Sequence, residues 1–195
     1  MRSTRPVPFL LTTVMVSLFT IGLWQVWEGV WIYAKAGLAQ LLLQRAWAHA
    51  LAGDPMPKPW PWADTWPVAR LHMQRPAADL IVLAGAYGRT LAFGPAHVGS
   101  TALPGQDGTI VLTGHRDTHF RFLKDVKSDD RFDLTGTDGN TRQYRVIERL
   151  IMDSRRDLIS IGHDKPDLVL VTCFPFDGIR AGGPLRYVVR AERMD

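Results

Sequence analysis

Cysteine is nearly absent from this chain of 195 residues, since the only one is Cys173. A single cysteine excludes an intramolecular disulfide. It leaves three interpretations: a free reactive thiol, an intermolecular link, or a buried and inert side chain. Free cysteine is among the most buried residue types, so composition alone favours the inert side chain.

Lysine is also scarce, and the chain has no dense basic block. There are 18 arginines and 5 lysines, spread along the sequence, and the net charge is +4. No stripe of basic and aromatic residues is present, which argues against a nucleic-acid-binding protein. Weak attraction to an anionic membrane surface is the milder inference. A glycine-rich phosphate loop is absent as well, because Gly182-Gly183 is better explained as a turn between strands.

The first long apolar run predicts a membrane anchor in residues 1–27. Phe9–Trp27 carries no formal charge and is about as long as a helix that crosses the hydrocarbon core. Arg2 and Arg5 precede it, which predicts a cytoplasmic N-terminus and a single-pass protein whose remainder lies outside the cytoplasmic membrane. A cleaved signal peptide is the alternative, but no clear small-x-small site directly follows the run.

Residues 28–67 predict a membrane-proximal helix followed by a stiff linker. Apolar residues recur with helical spacing as far as Leu51. The segment Asp54–Pro67 then contains five prolines and three tryptophans, a composition that favours extended structure. Its tryptophans would either lie at the membrane interface or pack onto the domain that follows.

The sequence pattern of residues 68–195 is typical of a β domain. Short apolar runs alternate with glycine, proline and aspartate turns, which predicts a closed or sandwiched antiparallel sheet. Asp138-Gly139-Asn140 indicates a hairpin, and short helices fit at Thr90–Phe93 and Thr118–Val126. The runs are Val68–Met73, Leu80–Leu83, Thr109–Thr113, Gln143–Leu150, Leu168–Cys173 and Pro184–Arg190.

Three residues at the ends of these runs suggest nucleophilic catalysis. His115 and Cys173 each stand at the C-terminal end of an apolar run, and they would meet at one rim if the two strands were parallel. Arg186 lies on the next run, where its guanidinium could stabilise a developing oxyanion. Spacing alone leaves the alternatives open, because such a histidine is more often a packing residue and such an arginine a solvated edge charge.

The strings around these residues, TGHRDTHFRFL, LVLVTCFPF and PLRYVV, resemble the sortase family of cysteine transpeptidases. Leu170, Thr172 and Cys173 agree with the family signature TLxTC, whereas Val169 stands where the signature has threonine. The wider segment GPAHVGSTALPGQDGTIVLTGHRDTHFRFL is also sortase-like, notably GPAH before the histidine strand, and the resemblance extends from about Val68 to Arg190. The strings PWPWADTWPVARL and CFPF are similar to the class GN sortases of marine and other proteobacteria.

The resemblance implies an eight-stranded β-barrel with short helices and a two-step transpeptidation. Cys173 would attack a Thr–Gly-like bond and form a thioacyl enzyme. His115 would protonate the departing amine and later deprotonate the incoming one, and Arg186 would hold the substrate carbonyl or oxyanion. Val169, Val171 and Thr172 would line the groove for the sorting signal.

The implied partners are an exported protein with a C-terminal LPxTG-like sorting signal, an amine acceptor and the cytoplasmic membrane. No cofactor is expected. A zinc site at His115 and His119 is disfavoured because HRDTH lacks the glutamate of a zinc protease. A calcium ion at Asp129, Asp130 and Asp133 is a further option, although such a run is more often a solvated turn.

Two other functions stay open at this point. The domain could be a thiol hydrolase that releases the acyl group to water with the same residues. It could also be a non-catalytic extracytoplasmic β-domain in which Cys173 is buried and inert.

Overall fold

The computed structural model describes residues 7–159, 161–162, 165–178 and 182–194. Arg2 and Arg5, on which the predicted orientation in the membrane depends, lie outside these ranges. The elements in chain order are α1 (Val7–Leu51), β1 (Pro67–Met73), β2 (Ala78–Ala84), α2 (Gly88–Leu91), β3 (Ala96–His97), β4 (Ile110–Thr113), a 3₁₀ helix (Arg121–Asp125), β5 (Arg131–Gly136), β6 (Thr141–Asp153), β7 (Asp167–Cys173) and β8 (Leu185–Met194).

The chain divides into two compact units, Met1–Gln40 and Leu41–Asp195. In the first unit, α1 carries exposed apolar side chains from Phe9 to Leu38. The helix is long and apolar enough to cross a membrane, a test that a signal sequence near the N-terminus also passes. The division predicted from composition, with boundaries after residues 27 and 67, stays a prediction.

The last turns of α1 belong to the second unit and pack on it. Leu43, Trp47 and Ala50 form a buried cluster with Ile81 and Leu83 of β2. The helix ends at Leu51, just before Gly53-Asp54, where the sequence predicted its end. The chain around residue 50 is therefore part of the folded domain.

Two of the three linker tryptophans pack within the second unit, to which the linker belongs. The rings of Trp60 and Phe93 meet edge to face with their centroids 4.8 Å apart. Trp66 is half-buried against the barrel core. Trp62, by contrast, remains 79% exposed. The sequence predicted that these tryptophans either lie at the membrane interface or pack on the domain. Trp60 and Trp66 pack on the domain.

Eight strands within the described residues close into a barrel in the order β1-β2-β3-β4-β7-β8-β6-β5. This confirms the predicted closed eight-stranded barrel. The expectation of an antiparallel sheet is wrong in part, because β2 pairs with β3 and β4 pairs with β7 in parallel. The β5–β6 hairpin lies between β4 and β7 in sequence, so the chain crosses over and re-enters the sheet in the same direction as β4.

The sheet formed by β4, β7 and β8 is buried on both faces. Its inward side chains, such as Leu112, Leu170 and Val189, belong to the barrel core. Its outward side chains Val111, Val169 and Val188 form a second cluster, and Ile159 of the connection between β6 and β7 packs against it. Burial on two faces explains why LVLV reads as an unbroken apolar run rather than an alternating one.

Candidate active site at the barrel rim

The parallel pairing of β4 and β7 brings His115 and Cys173 to one rim of the barrel. In this pairing Thr113 lies opposite Val171, and the Gly114 amide donates to the Val171 carbonyl at 3.2 Å. His115 follows two positions after the end of β4, and Cys173 is the last residue of β7. The two strand ends thus meet at the rim, which is the arrangement the sequence required for the pair.

Gly114 shapes the loop that carries His115. A side chain at this position would place its Cβ 2.9 Å from the Phe120 ring, too close for any other residue without a shift. The Phe120 amide in turn donates to the His115 carbonyl at 3.0 Å. The loop therefore closes tightly on a buried phenylalanine while the His115 side chain stays exposed to solvent.

Cys173 and Arg186 face each other across the β7–β8 pair. They are direct partners in the antiparallel register, so both side chains stand on the same face of the sheet. Cys173 is only half-buried. Arg186 Nη1 donates to the carbonyls of Gly183 at 2.6 Å and Leu185 at 2.9 Å. These bonds hold a guanidinium on the same face as the thiol.

Val169 and Val171 stand on that same outer face, below Cys173. Val169 is buried in the outer cluster and Val171 packs against it. A groove of about 220 Å³ opens beside Val169, Val188, Leu150 and Met152, with Arg190 among its polar lining residues. Val169 thus lines a groove on the outer face of the sheet, and its predicted contact with a sorting signal stays a prediction.

Thr172 requires a correction, because its side chain does not line this groove. Consecutive side chains of a strand point to opposite faces, and Thr172 is 2% exposed on the inner side of the sheet. Its hydroxyl donates to the Gly114 carbonyl at 2.7 Å. The contact links β7 to the residue before His115, so Thr172 supports the rim from within.

His119 lies near His115 but turns toward α2. Burial is the main cause that lowers the pKa of His119 below its usual value, while a hydrogen bond to the Ala92 carbonyl opposes this. The charge of His115 lowers the pKa of His119 further. Across the described residues, no three His, Cys, Asp or Glu side chains are grouped closely enough to hold a metal ion.

Arg116 lies beside His115 at the rim, and the sequence reasoning passed over it. The residue is 6% exposed, and its guanidinium donates to backbone carbonyls in the loop that follows Cys173. The sequence shows only that Arg116 follows His115, because its burial and its carbonyl partners are visible in the structure alone.

A family model for the sortase domain matches residues 71–194 of this chain. Among curated proteins, the chain is similar to sortase D of Bacillus subtilis, with 30% identity over 125 residues. This match covers 64% of the chain and 62% of the relative, so the chain spans less than two thirds of the length of that relative.

Solved structures of the same family share the barrel. Sortase A from Corynebacterium diphtheriae superposes with a TM-score of 0.60 at 26% identity, over 80% of this chain and 84% of that one. Sortase C-1 from Actinomyces oris superposes with a TM-score of 0.59 at 28% identity, over 66% of this chain and 75% of that one.

Proposed function

The chain belongs to the sortase family, and we propose that it is a membrane-anchored cysteine transpeptidase with Cys173 as the nucleophile. The observation that carries the proposal is the register at the rim. Cys173, at the end of β7, is paired directly with Arg186 of β8. The end of β7 lies beside the end of β4, the strand that precedes His115. Cys173 is only half-buried, which argues against the alternative of a non-catalytic β-domain with a buried, inert cysteine.

The first half of the reaction forms a thioacyl enzyme. The Cys173 thiolate attacks the scissile carbonyl of a Thr–Gly-like bond, and the resulting oxyanion is stabilised by the Arg186 guanidinium. As the tetrahedral intermediate collapses, the carbon–nitrogen bond breaks and His115 gives its proton to the departing amine. The acyl group then remains on the sulfur of Cys173.

The second half transfers the acyl group to an amine. Neutral His115 takes a proton from the incoming amine as its nitrogen attacks the thioester carbonyl. The new amide bond forms, the carbon–sulfur bond breaks, and Cys173 leaves as a thiolate. His115 is again protonated, so the pair returns to its starting state without a cofactor.

The outer groove supplies a binding site for the sorting signal. Val169 precedes Cys173 by four positions in β7, which is about 13 Å along a strand. The fourth residue before the scissile bond lies three positions from the residue whose carbonyl is attacked, about 10 Å in an extended peptide, so its apolar side chain would lie near the Val169 end of the groove. This is the spacing of leucine in an LPxTG-like signal.

Anchoring of the enzyme is proposed through α1. The helix would cross the cytoplasmic membrane with its N-terminus inside and the barrel outside, because the basic residues precede the apolar run. The narrower assignment to class GN depends on PWPWADTWPVARL and CFPF alone and stays a prediction. The acceptor is proposed only as an amine.

The test uses the full chain in detergent micelles, an LPxTG-containing peptide and an amine such as triglycine. Mass spectrometry would follow an acyl adduct on Cys173 and the amine-ligated peptide. We expect both in the wild type, no adduct in Cys173→Ala, and a large loss of ligated product in His115→Ala and Arg186→Ala. An adduct that only water resolves would indicate the hydrolase instead, and an adduct in Cys173→Ala would refute the assignment of the nucleophile.

A further inference from the structure

The Arg116 guanidinium connects two loops at the rim. Nη1 donates to the Pro175 carbonyl at 2.7 Å, and Nη2 donates to the Gly178 carbonyl at 2.5 Å. Nε lies 3.4 Å from a carboxylate oxygen of Asp117. The planar guanidinium therefore reaches two carbonyls of one loop at once, a fork that an ammonium group cannot reproduce.

The connected segments are those that carry the proposed nucleophile and base. Arg116 is the residue after His115, while Pro175 and Gly178 follow Cys173 by two and five positions. The ladder between β4 and β7 reaches the Gly114 amide, which bonds to the Val171 carbonyl. Arg116 extends the connection between the two strands beyond this point, past both His115 and Cys173.

The loop is shaped to receive the guanidinium. A Cβ on Gly178 would lie 3.0 Å from Nη1 of Arg116 and 3.2 Å from the Pro175 carbonyl oxygen. Aromatic contacts also hold the loop: the Phe176 ring meets Tyr187 of β8 at 5.2 Å, and Phe174 stacks on the same tyrosine at 6.3 Å. These rings fix the loop to β8, and the guanidinium fixes it to the segment that carries His115.

We propose that Arg116 is a positioning residue that sets the distance and orientation of the His115 imidazole relative to the Cys173 thiol. The inference rests on the proposed function, because it assigns Arg116 to the same histidine–cysteine pair. Removal of the fork leaves the Pro175 and Gly178 carbonyls without these donors, and the loop shifts relative to His115. A misplacement of about 1 Å between reacting groups can reduce the rate by roughly 100-fold.

The expected kinetic effect separates positioning from peptide binding. The groove beside Val169 and Val188 is lined by residues of β6, β7, β8 and the connection between β6 and β7, and none of them belongs to the loop that Arg116 holds. In Arg116→Lys we therefore expect kcat for ligation to fall by about 10- to 100-fold, with KM for the peptide changed less than about threefold. The lysine keeps a positive charge, so the loss isolates the geometry of the fork.

The deciding experiment measures the alkylation rate of Cys173 by iodoacetamide against pH, with the full chain in detergent micelles. The wild type, His115→Ala, Arg116→Lys and Arg142→Lys are compared. Arg142 is a matched control, because it donates to the Gly105 carbonyl at 3.1 Å and pairs with Asp138 at 2.8 Å, near the start of β6 and away from the rim. We expect the profile of Arg116→Lys to move toward that of His115→Ala and the profile of Arg142→Lys to match the wild type.

The outcomes distinguish this inference from the proposed function. If the pH profile of His115→Ala matches that of the wild type, His115 does not act on Cys173, and both the proposed function and the positioning role of Arg116 are refuted. If His115→Ala differs while Arg116→Lys matches the wild type, only the positioning role is overturned. Should Arg116→Lys not fold, Gly178→Ala replaces it, because the added methyl group presses on Nη1; an unchanged profile there also overturns the role.

Discussion

Replacement of Trp47 by alanine tests whether the end of α1 is part of the folded domain. Trp47 is 4% exposed and packs in one buried cluster with Leu43, Ile81 and Leu83. Truncation of a buried tryptophan to alanine costs about 3–5 kcal/mol, since it removes apolar contacts and leaves a cavity. In a domain of this size 1 kcal/mol corresponds to roughly 2–4 °C, so we expect Tm to fall by about 6–20 °C.

The measurement is thermal unfolding of the full chain in detergent, followed by far-ultraviolet circular dichroism. Trp62→Ala is the matched control, because Trp62 lies in the linker and is 79% exposed. We expect that control to change stability by less than about 0.5 kcal/mol, or about 2 °C. Tm values of the two variants within 2 °C of each other would refute the reasoning.

Two fragments give an independent comparison. A fragment that begins at Leu41 keeps the packing of the helix end on β2, whereas one that begins at Asp54 uncovers Ile81 and Leu83. Exposure of this apolar surface to water is unfavourable. We therefore expect the shorter fragment to melt at the lower temperature, and equal Tm values would contradict a structural role for the helix end.

Two further predictions concern buried polar groups. Burial is the main cause that lowers the pKa of His97 below its usual value of 6.5, so the unfolded chain binds protons first and stability falls as pH drops below about 6.5. We expect the drop in Tm between about pH 7.5 and pH 5.5 to be smaller in His97→Gln than in the wild type. His72→Gln is the control, because His72 is exposed, and it should keep the full drop. A full drop in His97→Gln would contradict the prediction. Thr172→Val removes the donor to the Gly114 carbonyl and should cost about 1–3 kcal/mol, whereas Thr172→Ser should retain most stability. Equal Tm values for the valine and serine variants would show that the bond contributes nothing.

The strand segments could be predicted because their signals are local. Apolar runs bounded by glycine, proline and aspartate located β1, β2, β4, β6, β7 and β8. The predicted hairpin at Asp138-Gly139-Asn140 joins β5 and β6. The sequence reasoning missed β3, which has two residues, and β5, in which Phe132 and Leu134 are the only large apolar side chains. Strands this short or this polar depend on pairing with their neighbours.

The candidate site could be located from the sequence, but only under a condition. His115 and Cys173 stand at strand ends, and the argument required those strands to be parallel. Parallel pairing is a contact between residues 58 positions apart in Ile110↔Leu168 and its neighbours. A local pattern contains no information about such a pairing. The catalytic roles of these residues stay predictions.

Side-chain direction at the site could not be predicted. In LVLVTC every position from Leu168 to Val171 is apolar, because the sheet is buried on both faces, so no alternation marks which side chains point outward. The expectation that Thr172 lines the groove failed for this reason. The register with β8 decides which side chains share a face. Cys173 and Arg186 both point outward, whereas Thr172 points inward.

By itself, the sequence determined the apolar N-terminal helix, the positions of most strands and the family of the barrel, because each depends on residues that are neighbours in the chain. The tertiary structure decided the crossover that makes β4 and β7 parallel, the packing of Trp47 on β2 and the connection from Arg116 to Pro175 and Gly178. The physical reason is the same in each case. These features are contacts between distant segments, whose geometry exists only after the barrel has closed.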